Sequence, residues 1–208
     1  MILQPAKARR VLLTGFGSFP GVPVNATAQL VPRLAEAAAA AFPDTAITFD
    51  ILPVTWHGGP QASAALIDAC DPDVIVHFGV SERATGFVIE TLARNGCHIS
   101  IDAGGALPPL ELIDPDAPAG LRATLPCETI LRRLEDDGLP ASLSEDAGQY
   151  LCNAVLFHSL LRVKEGVKVG FIHLPVTLGE PGAALTMEQA LRGGLRILEA
   201  CLLPAARH

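Results

Sequence analysis

Two of the five cysteines stand where a helix is predicted to begin, and a thiol in that position can act as a nucleophile. Cys152 lies in SEDAGQYLCNAVLFHSL, residues 144–160, where an acidic, glycine-containing turn passes into an apolar helix. Cys127 directly follows a proline in LPCETI. The thiolate is the reactive form of cysteine, and the N-terminus of a helix or a neighbouring imidazolium stabilises it. Spacing alone does not choose between these two cysteines.

The place of Cys152 in its helix depends on where that helix begins. If Asp146 and Gln149 form a capping pair, Cys152 lies about one and a half turns inside the helix. If the helix begins near Tyr150, Cys152 lies in its first turn. Burial as a small hydrophobic residue is the competing interpretation for every cysteine of the chain.

One histidine is predicted to lie where a catalytic base is useful. His173 ends the apolar strand GFIH and should emerge at the carboxyl edge of a parallel sheet, where open α/β sheets bind ligands. His77, within DVIVHFG, is expected to be a core histidine bonded to backbone. His57 is expected to open a helix after LPVTW, and His98, His158 and His208 have no comparable context. Because neither HxxxH nor HExxH spacing occurs, no metal site is expected.

A carboxylate interrupts an otherwise apolar, extended stretch. Glu90 in GFVIETLARN needs a partner if it is buried, and an imidazolium would suit, since a cysteine–histidine–acid arrangement uses such an orienting group. A solvent-facing position on an edge strand is the alternative. Glu82 and Arg83 follow strand DVIVHFG and are the next candidates, with a surface ion pair as their default interpretation.

The loop TGFGSFPG, residues 14–21, has three competing interpretations. Its glycines resemble a dinucleotide-binding turn, with Asp50 as a ribose-binding carboxylate, but the spacing differs from GxGxxG and Pro20 removes an N–H donor. Alternatively, Phe16 and Phe19 line an apolar ligand pocket at the end of the first strand. The third interpretation is a tight strand-to-helix turn with two packed rings.

The elements that must position these residues alternate between strand and helix. Strands are predicted at residues 11–15, 46–54, 73–79, 140–144 and 167–176, and residues 86–101 are expected to be extended. Helices are predicted at residues 26–42 with Asn25 as cap and a kink or later start at Pro32, at 58–70, at 126–137, around Cys152, and at 185–203. Residues 102–120 are expected to form a long irregular loop. This order predicts a single three-layer α/β/α domain over residues 1–208, with a largely parallel central sheet.

Composition narrows the range of partners. The net charge of the 208-residue chain is −7, which argues against nucleic acid and anionic membranes as partners. No apolar run is long enough to span a bilayer, and MILQPAKARR lacks the pattern of a signal peptide. The odd number of dispersed cysteines fits neither a disulfide framework nor a zinc site. We therefore expect a cytoplasmic protein with free thiols.

Four segments together resemble the pyroglutamyl peptidase I family of cysteine peptidases, also called pyrrolidone-carboxylate peptidases. They are VLLTGFGSFPGVPVN, PDVIVHFGV with FVIETLARN, AGQYLCNAV and GFIHLPV, and they follow one another in the family's order. The resemblance implies a single α/β/α domain that needs no cofactor. It also implies a homo-oligomer, tetramer or dimer, that removes an N-terminal pyroglutamyl residue from peptides.

The resemblance also implies a role for each candidate residue. Cys152 would be the nucleophile that forms an acyl-enzyme, His173 the base and Glu90 the acid of a triad. Phe16 and Phe19 match the phenylalanines that hold the pyrrolidone ring, and Asn25 matches the asparagine that closes their loop.

The chain departs from the family's pattern in three places near the expected site. GFGSFPG replaces the usual GFEPFGG, and Ala84 stands where an arginine is expected, with Arg83 one residue earlier. SEDAG, ahead of the cysteine, replaces the more usual SNSAG-like segment. Two alternative functions follow from these departures. One is a non-catalytic protein of the same fold that binds a lactam, and the other is an amidase acting on a related cyclic acyl group.

Overall fold

The computed structural model describes residues 8–180 and 182–202. Its eight strands are β1 (Arg9–Phe16), β2 (Thr45–Leu52), β3 (Val74–Val80), β4 (Phe87–Glu90), β5 (Leu92–Arg94), β6 (Gly120–Arg122), β7 (Ala141–Ser144) and β8 (Lys168–Leu174). Its five helices are α1 (Ala26–Ala41), α2 (Gly58–Cys70), α3 (Cys127–Asp136), α4 (Leu151–Arg162) and α5 (Met187–Leu202). None of the helices in these ranges is long and apolar enough to cross a membrane.

Six strands form one sheet in the order β2-β1-β3-β8-β4-β7, and β5 pairs with β6 in a separate two-stranded sheet. Every neighbouring pair in the large sheet is parallel except β4 with β8. The link between β3 and β4 is too short for a crossover helix, so β4 runs antiparallel to β3. β8 then lies between these two strands.

Helices cover both faces of the sheet, which confirms the predicted three-layer, largely parallel α/β fold. On one face α1, α3 and α5 bury Leu34, Ile130 and Ile197 in a common core. On the other face α2 and α4 bury residues such as Ile67 and Phe157. Buried on both sides, β3 is a continuous apolar strand with no alternation of polar residues.

Most predicted elements lie close to where the sequence placed them, and two details differ. Strand β6 was not predicted, since Gly120 had been assigned to the loop that precedes it. The first helix begins at Ala26 with Asn25 as its cap, as predicted, because Asn25 Oδ1 accepts the Thr27 N–H; the alternative of a later start at Pro32 is wrong, since Pro32 lies inside the helix. The predicted end of the last helix at Leu203 lies outside the described residues, as does His208.

His77 is buried, as predicted, but its partners are side-chain hydroxyl groups and not backbone. Its Nδ1 lies 2.7 Å from Thr14 Oγ1 on β1, and its Nε2 lies 3.0 Å from Ser159 Oγ on α4. Ser159 also contacts Ser63 on α2, at 3.2 Å between the hydroxyl oxygens. This network ties α4 to the centre of the sheet through a neutral imidazole.

We expect acid to destabilise the fold in part through His77. Burial lowers the pKa of His77 from 6.5 to about 3, so at lower pH the unfolded chain binds a proton that the folded chain excludes. The stabilising contribution is complete above pH 6.5 and is lost as the pH falls toward 3. In His77→Gln the free energy of unfolding should be about 1–3 kcal/mol lower at neutral pH, because buried partners lose a hydrogen bond.

Urea unfolding at several pH values checks this prediction. The free energy of unfolding should fall less steeply with acid in His77→Gln than in the wild type. Parallel curves for the two proteins would show that His77 does not contribute to acid lability.

Candidate active site

Cys152 lies in the first turn of α4, at the carboxyl edge of the sheet. The first backbone hydrogen bond of the helix runs from the Ala154 N–H to the Tyr150 carbonyl at 3.0 Å. The backbone N–H groups of the residues just before Ala154 therefore have no acceptor within the helix. The predicted Asp146–Gln149 capping pair is wrong, because Asp146 Oδ1 accepts instead from the Gly148 N–H. Gly148 has a φ of 76°, and the chain turns there before the helix begins.

Asn153, the residue after the cysteine, fixes the start of this helix. It is fully buried, its Oδ1 accepts the Arg94 N–H at 2.8 Å, and its Nδ2 donates to the Arg94 carbonyl at 2.7 Å. Nδ2 also lies 3.2 Å from the Gly96 carbonyl. The sequence analysis assigned no role to Asn153, although an amide inside the apolar run LCNAVLF was a signal that it has one.

His173 and Glu90 meet on two neighbouring antiparallel strands. Within the β4–β8 pair, Val88 lies opposite His173 and Glu90 lies opposite Phe171, which puts the two side chains diagonally on one face. His173 Nδ1 lies 2.8 Å from Glu90 Oε1, and both side chains are buried. Glu90 is therefore not a solvent-facing residue of an edge strand.

The second ring nitrogen of His173, Nε2, is the one available to the thiol of Cys152. Cys152 is close enough to raise the pKa of His173, and because Nδ1 is already occupied by Glu90, Nε2 is the nitrogen that remains for the sulfur. Burial lowers the pKa of His173, but the charges of Cys152 and Glu90 and their hydrogen bonds outweigh it and raise that pKa to about 10. The imidazole is thus held as a cation between Cys152 and Glu90 at neutral pH.

Gly79 allows the sulfur to lie this close to the sheet. A Cβ at this position would stand 2.6 Å from the Phe171 ring and 3.1 Å from Cys152 Sγ. The Phe171 ring in turn packs against His173, with the ring centroids 4.8 Å apart. Cys152 and His173 therefore both pack against the buried apolar cluster that contains Phe171.

A small apolar cavity opens beside the sulfur. It has a volume of about 70 Å³ and is lined by Phe16, Phe19, Asn25, Val54, Val80, Tyr150, Leu151 and Cys152. A cavity of this size and character suits one compact, uncharged ring better than an extended or charged group. Tyr150 and Val54 were not predicted as lining residues, because their role depends on how distant loops pack.

The loop that carries the two phenylalanines is closed by Asn25. Its Nδ2 donates to the Gly17 carbonyl at 3.0 Å, while its Oδ1 accepts from Thr27. The N–H groups of Phe16, Gly17 and Phe19 already donate within the fold, to Thr27 Oγ1 and to two carbonyl groups. A dinucleotide site needs backbone N–H groups that are available to bind phosphate, and these three are already used within the fold. The loop therefore presents its aromatic rings to the cavity and does not form a dinucleotide site.

The other candidates lie outside this cluster. Cys127 begins α3 against the opposite core, and burial raises the pKa of its thiol. Glu82 and Arg83 are both exposed, and no ion pair joins them in the described part of the chain. Ala84, at the position where the family resemblance calls for an arginine, is buried and supplies no charge to the site.

Comparison with known proteins yields one family. A family model described as pyroglutamyl peptidase matches residues 9–191. A pyrrolidone-carboxylate peptidase of Oceanobacillus iheyensis is 30% identical over 172 residues, which cover 81% of this chain and 85% of that protein. Another, of Thermococcus litoralis, is 33% identical over 173 residues, covering 81% and 77%.

Solved structures agree with the sequence relatives. The crystal structure of pyroglutamyl peptidase I from Bacillus amyloliquefaciens has a TM-score of 0.83 at 26% identity, covering 94% of this chain and 98% of that one. A mutant pyrrolidone carboxyl peptidase from Pyrococcus furiosus has a TM-score of 0.82 at 27% identity, covering 93% and 98%.

The geometry predicts that the charge state of His173 depends on the thiol. In Cys152→Ala the pKa of His173 should fall from about 10 toward more acidic values, because the strongest of the groups that raise it is gone. An NMR titration of ring-labelled histidine measures this shift. Cys127→Ala is the control and should leave the His173 titration unchanged; an unchanged titration in Cys152→Ala would contradict the ion-pair arrangement.

Proposed function

The chain belongs to the pyroglutamyl peptidase family, and on that basis we propose that it hydrolyses the amide bond after an N-terminal pyroglutamyl residue of a peptide. The observation that carries the proposal is that Cys152, which lines the small apolar cavity, lies beside the hydrogen-bonded pair His173–Glu90. A nucleophile, a base and an orienting carboxylate in series are what acyl transfer requires.

The cavity supports this choice of substrate. A pyroglutamyl group is a neutral cyclic lactam without a free α-amine, so a site that recognises an ammonium group would not hold it. An apolar, aromatic slot would, with Phe16 and Phe19 against the ring. Asn25 lines the same slot, but its amide is engaged in closing the loop, so its contribution is to hold the two rings in place.

Catalysis then proceeds in two steps on Cys152. Its thiolate attacks the carbonyl carbon, and the oxygen becomes an oxyanion that the free N–H groups at the start of α4 stabilise. The tetrahedral species collapses, the C–N bond breaks, and His173 gives its proton to the leaving amine. Water next attacks the thioester with His173 taking a proton from it, and pyroglutamate and the thiolate are released.

Glu90 acts on His173 and not on the substrate. Its Oε1 accepts a hydrogen bond from the Nδ1–H of His173, which leaves Nε2 directed at the sulfur and stabilises the imidazolium. Its second oxygen, Oε2, is buried with no hydrogen-bond partner among the described residues, so the imidazolium is the group that balances this charge.

A pyroglutamyl-arylamide assay tests the proposed function. Cys152→Ser should reduce kcat/KM by on the order of 10⁴-fold or more, because the nucleophile is removed. His173→Ala should reduce it by roughly 10²–10⁴-fold through loss of acid–base catalysis.

Cys127→Ser is the matched control and should retain wild-type activity. Activity that survives Cys152→Ser would reject this nucleophile. Binding of the lactam without any turnover by the wild type would favour the non-catalytic alternative, and turnover only of other cyclic amides would favour the amidase.

We further propose that the chain works as one cytoplasmic peptidase domain over residues 1–208, with peptides as partners and without nucleic acid or membrane. All five cysteines are free thiols in the structure, as a reducing compartment would keep them. The thiolate mechanism requires Cys152 to remain reduced, which supports the same compartment.

We also propose that the chain forms a homo-oligomer, a dimer or tetramer, through the loop that follows β5. Five of the eight exposed large hydrophobic residues of the described chain lie there: Ile99, Ile101, Leu107, Leu110 and Leu112. So dense a cluster of exposed aliphatic side chains is typical of a surface that another protein covers. A second copy is the occupant we assign to it.

Light scattering coupled to size exclusion tests the assembly. The double variant Leu107→Ser/Leu110→Ser should shift the mass from oligomer toward monomer, because both side chains are more than half exposed in the isolated chain. Phe49→Ser removes an exposed apolar side chain from edge strand β2 and should leave the mass unchanged. A monomeric wild type, or an oligomer unaffected by the double variant, would contradict the proposal.

A further inference from the structure

We infer that Asp102 is a positioning residue for substrate binding: its carboxylate fastens residues 97–106, here called the Asp102 loop, to two walls of the apolar cavity. The inference deepens the proposed function and rests on it, since the cavity is taken as the site of the pyroglutamyl ring. Asp102 touches neither the cavity nor the sulfur, and it acts through Val54, Trp56 and Tyr150.

The carboxylate of Asp102 accepts hydrogen bonds from three backbone N–H groups. Its side chain is 5% exposed. Oδ2 accepts the Trp56 N–H at 2.8 Å, and Oδ1 accepts the N–H groups of Gly104 at 2.8 Å and Ala106 at 2.9 Å. Burial raises the pKa of Asp102, but these N–H donors outweigh it and hold the pKa below its usual value. The group is therefore an anion throughout the neutral range.

Only a carboxylate meets these demands. Both oxygens accept, and the turn that supplies two of the donors is closed by a bond from the Gly105 N–H to the Asp102 carbonyl at 3.0 Å. Gly105 has a φ of 82°, which favours glycine in that turn. An asparagine in place of Asp102 would direct an NH₂ group at one of the N–H donors, so at least one bond would become a donor–donor contact.

The first of the two cavity walls, formed by Val54, is held by hydrogen bonds from Asp102 and the residue after it. The Ala103 N–H donates to the Val54 carbonyl at 3.0 Å, and the Trp56 N–H is bound by the carboxylate itself. Val54 lines the cavity, and it lies between β2 and α2 in a segment without helix or strand structure of its own. The bonds from the Asp102 loop are thus what hold Val54 against the ring site.

The second wall is held by the residues just before Asp102. The Ile101 carbonyl accepts the Tyr150 hydroxyl at 3.2 Å, and the Ser100 carbonyl accepts the Trp56 indole N–H at 2.9 Å. The rings of Trp56 and Tyr150 meet edge to face with centroids 5.0 Å apart. Tyr150 lines the cavity two residues before the nucleophile.

The thiol itself is positioned mainly by contacts that do not involve Asp102. One bond joins the other end of the Asp102 loop to the segment before α4, from the His98 N–H to the Gln149 carbonyl at 2.6 Å, four residues before Asp102. The start of α4 is bound to β5 through Asn153 and Arg94, and His173 is held by Glu90 on the central sheet. Release of the Asp102 loop should therefore loosen the ring site and leave the attack geometry intact. The expected signature is a change in KM with little change in kcat.

The test compares Asp102→Asn with the wild type on a pyroglutamyl-arylamide. We expect KM to rise roughly tenfold, the effect of losing one hydrogen bond to a charged group, while kcat stays close to the wild-type value. The rate at which iodoacetamide, which does not need the ring site, alkylates Cys152 should also be unchanged. Asp116→Asn makes the same charge change at an exposed carboxylate further along the connection between β5 and β6. It should alter none of these quantities.

Trp56 gives a readout that does not depend on turnover. It is the one tryptophan of the sequence and is 7% exposed, so its emission reports on its contacts with the Asp102 loop and with Tyr150. We expect the emission of Asp102→Asn to shift to longer wavelength. Titration with 2-pyrrolidone, the bare lactam ring, should perturb the wild-type emission at a lower concentration than that of the variant.

Tyr150→Phe serves as a second variant if Asp102→Asn does not fold. It removes only the hydroxyl that bonds to Ile101 and keeps the ring, so KM should rise in the same direction by a smaller factor. An unchanged KM and unchanged tryptophan emission in Asp102→Asn, or an unchanged KM in Tyr150→Phe, would overturn the inference. A fall in kcat and in the alkylation rate together with KM would also overturn it.

These outcomes separate the two claims. If the wild type hydrolyses no pyroglutamyl substrate, the proposed function fails, and the emission and 2-pyrrolidone titrations still decide the role of Asp102. If the wild type turns over and Asp102→Asn behaves like Asp116→Asn, the proposed function stands and the positioning role is rejected.

Discussion

The hydrogen bond between His173 and Glu90 is the contact on which the rest of the site depends. It joins a cation to a carboxylate where solvent cannot screen either charge, and each would be costly to bury without the other. The bond exists because β4 runs antiparallel beside β8, which brings a residue from each strand to one face. The His173 imidazolium, held in this way by Glu90, lies next to Cys152 at the start of α4.

Two separate sets of contacts surround the His173–Glu90 pair: one positions the reacting groups, and the other forms the ring site. The sheet and the Asn153–Arg94 bonds place the sulfur and the imidazole, and they belong to the rigid interior of the fold. The ring site is built from loop residues, with the aromatic loop closed by Asn25 on one side and the Asp102 loop on the other. A neutral ring offers few strong contacts, so the cavity relies on the precise placement of apolar walls.

The elements that could be predicted from sequence are those with a strong local pattern. Helix α2 has the predicted bounds, and β3 differs by one residue at each end, because the apolar run VIVHFG and the flanking turn residues are local signals. The start of α4 was left open because it depends on Asn153 bonding to Arg94, far away in the chain. The pairing of β4 with β8 and the role of Asp102 are likewise set by long-range contacts that no local pattern encodes.

The same limit applies to the site. Residue types alone left Cys127 and Cys152 equal, and the family resemblance assigned the roles. The fold separates them physically, because one thiol meets an imidazole at the sheet edge and the other is packed against the opposite core. The central claim is that Cys152 carries the acyl group. Acid-quenched mass spectrometry during turnover of a pyroglutamyl ester measures this directly: the account predicts a pyroglutamyl adduct on the peptide that contains Cys152, and turnover with the adduct on another residue would contradict it.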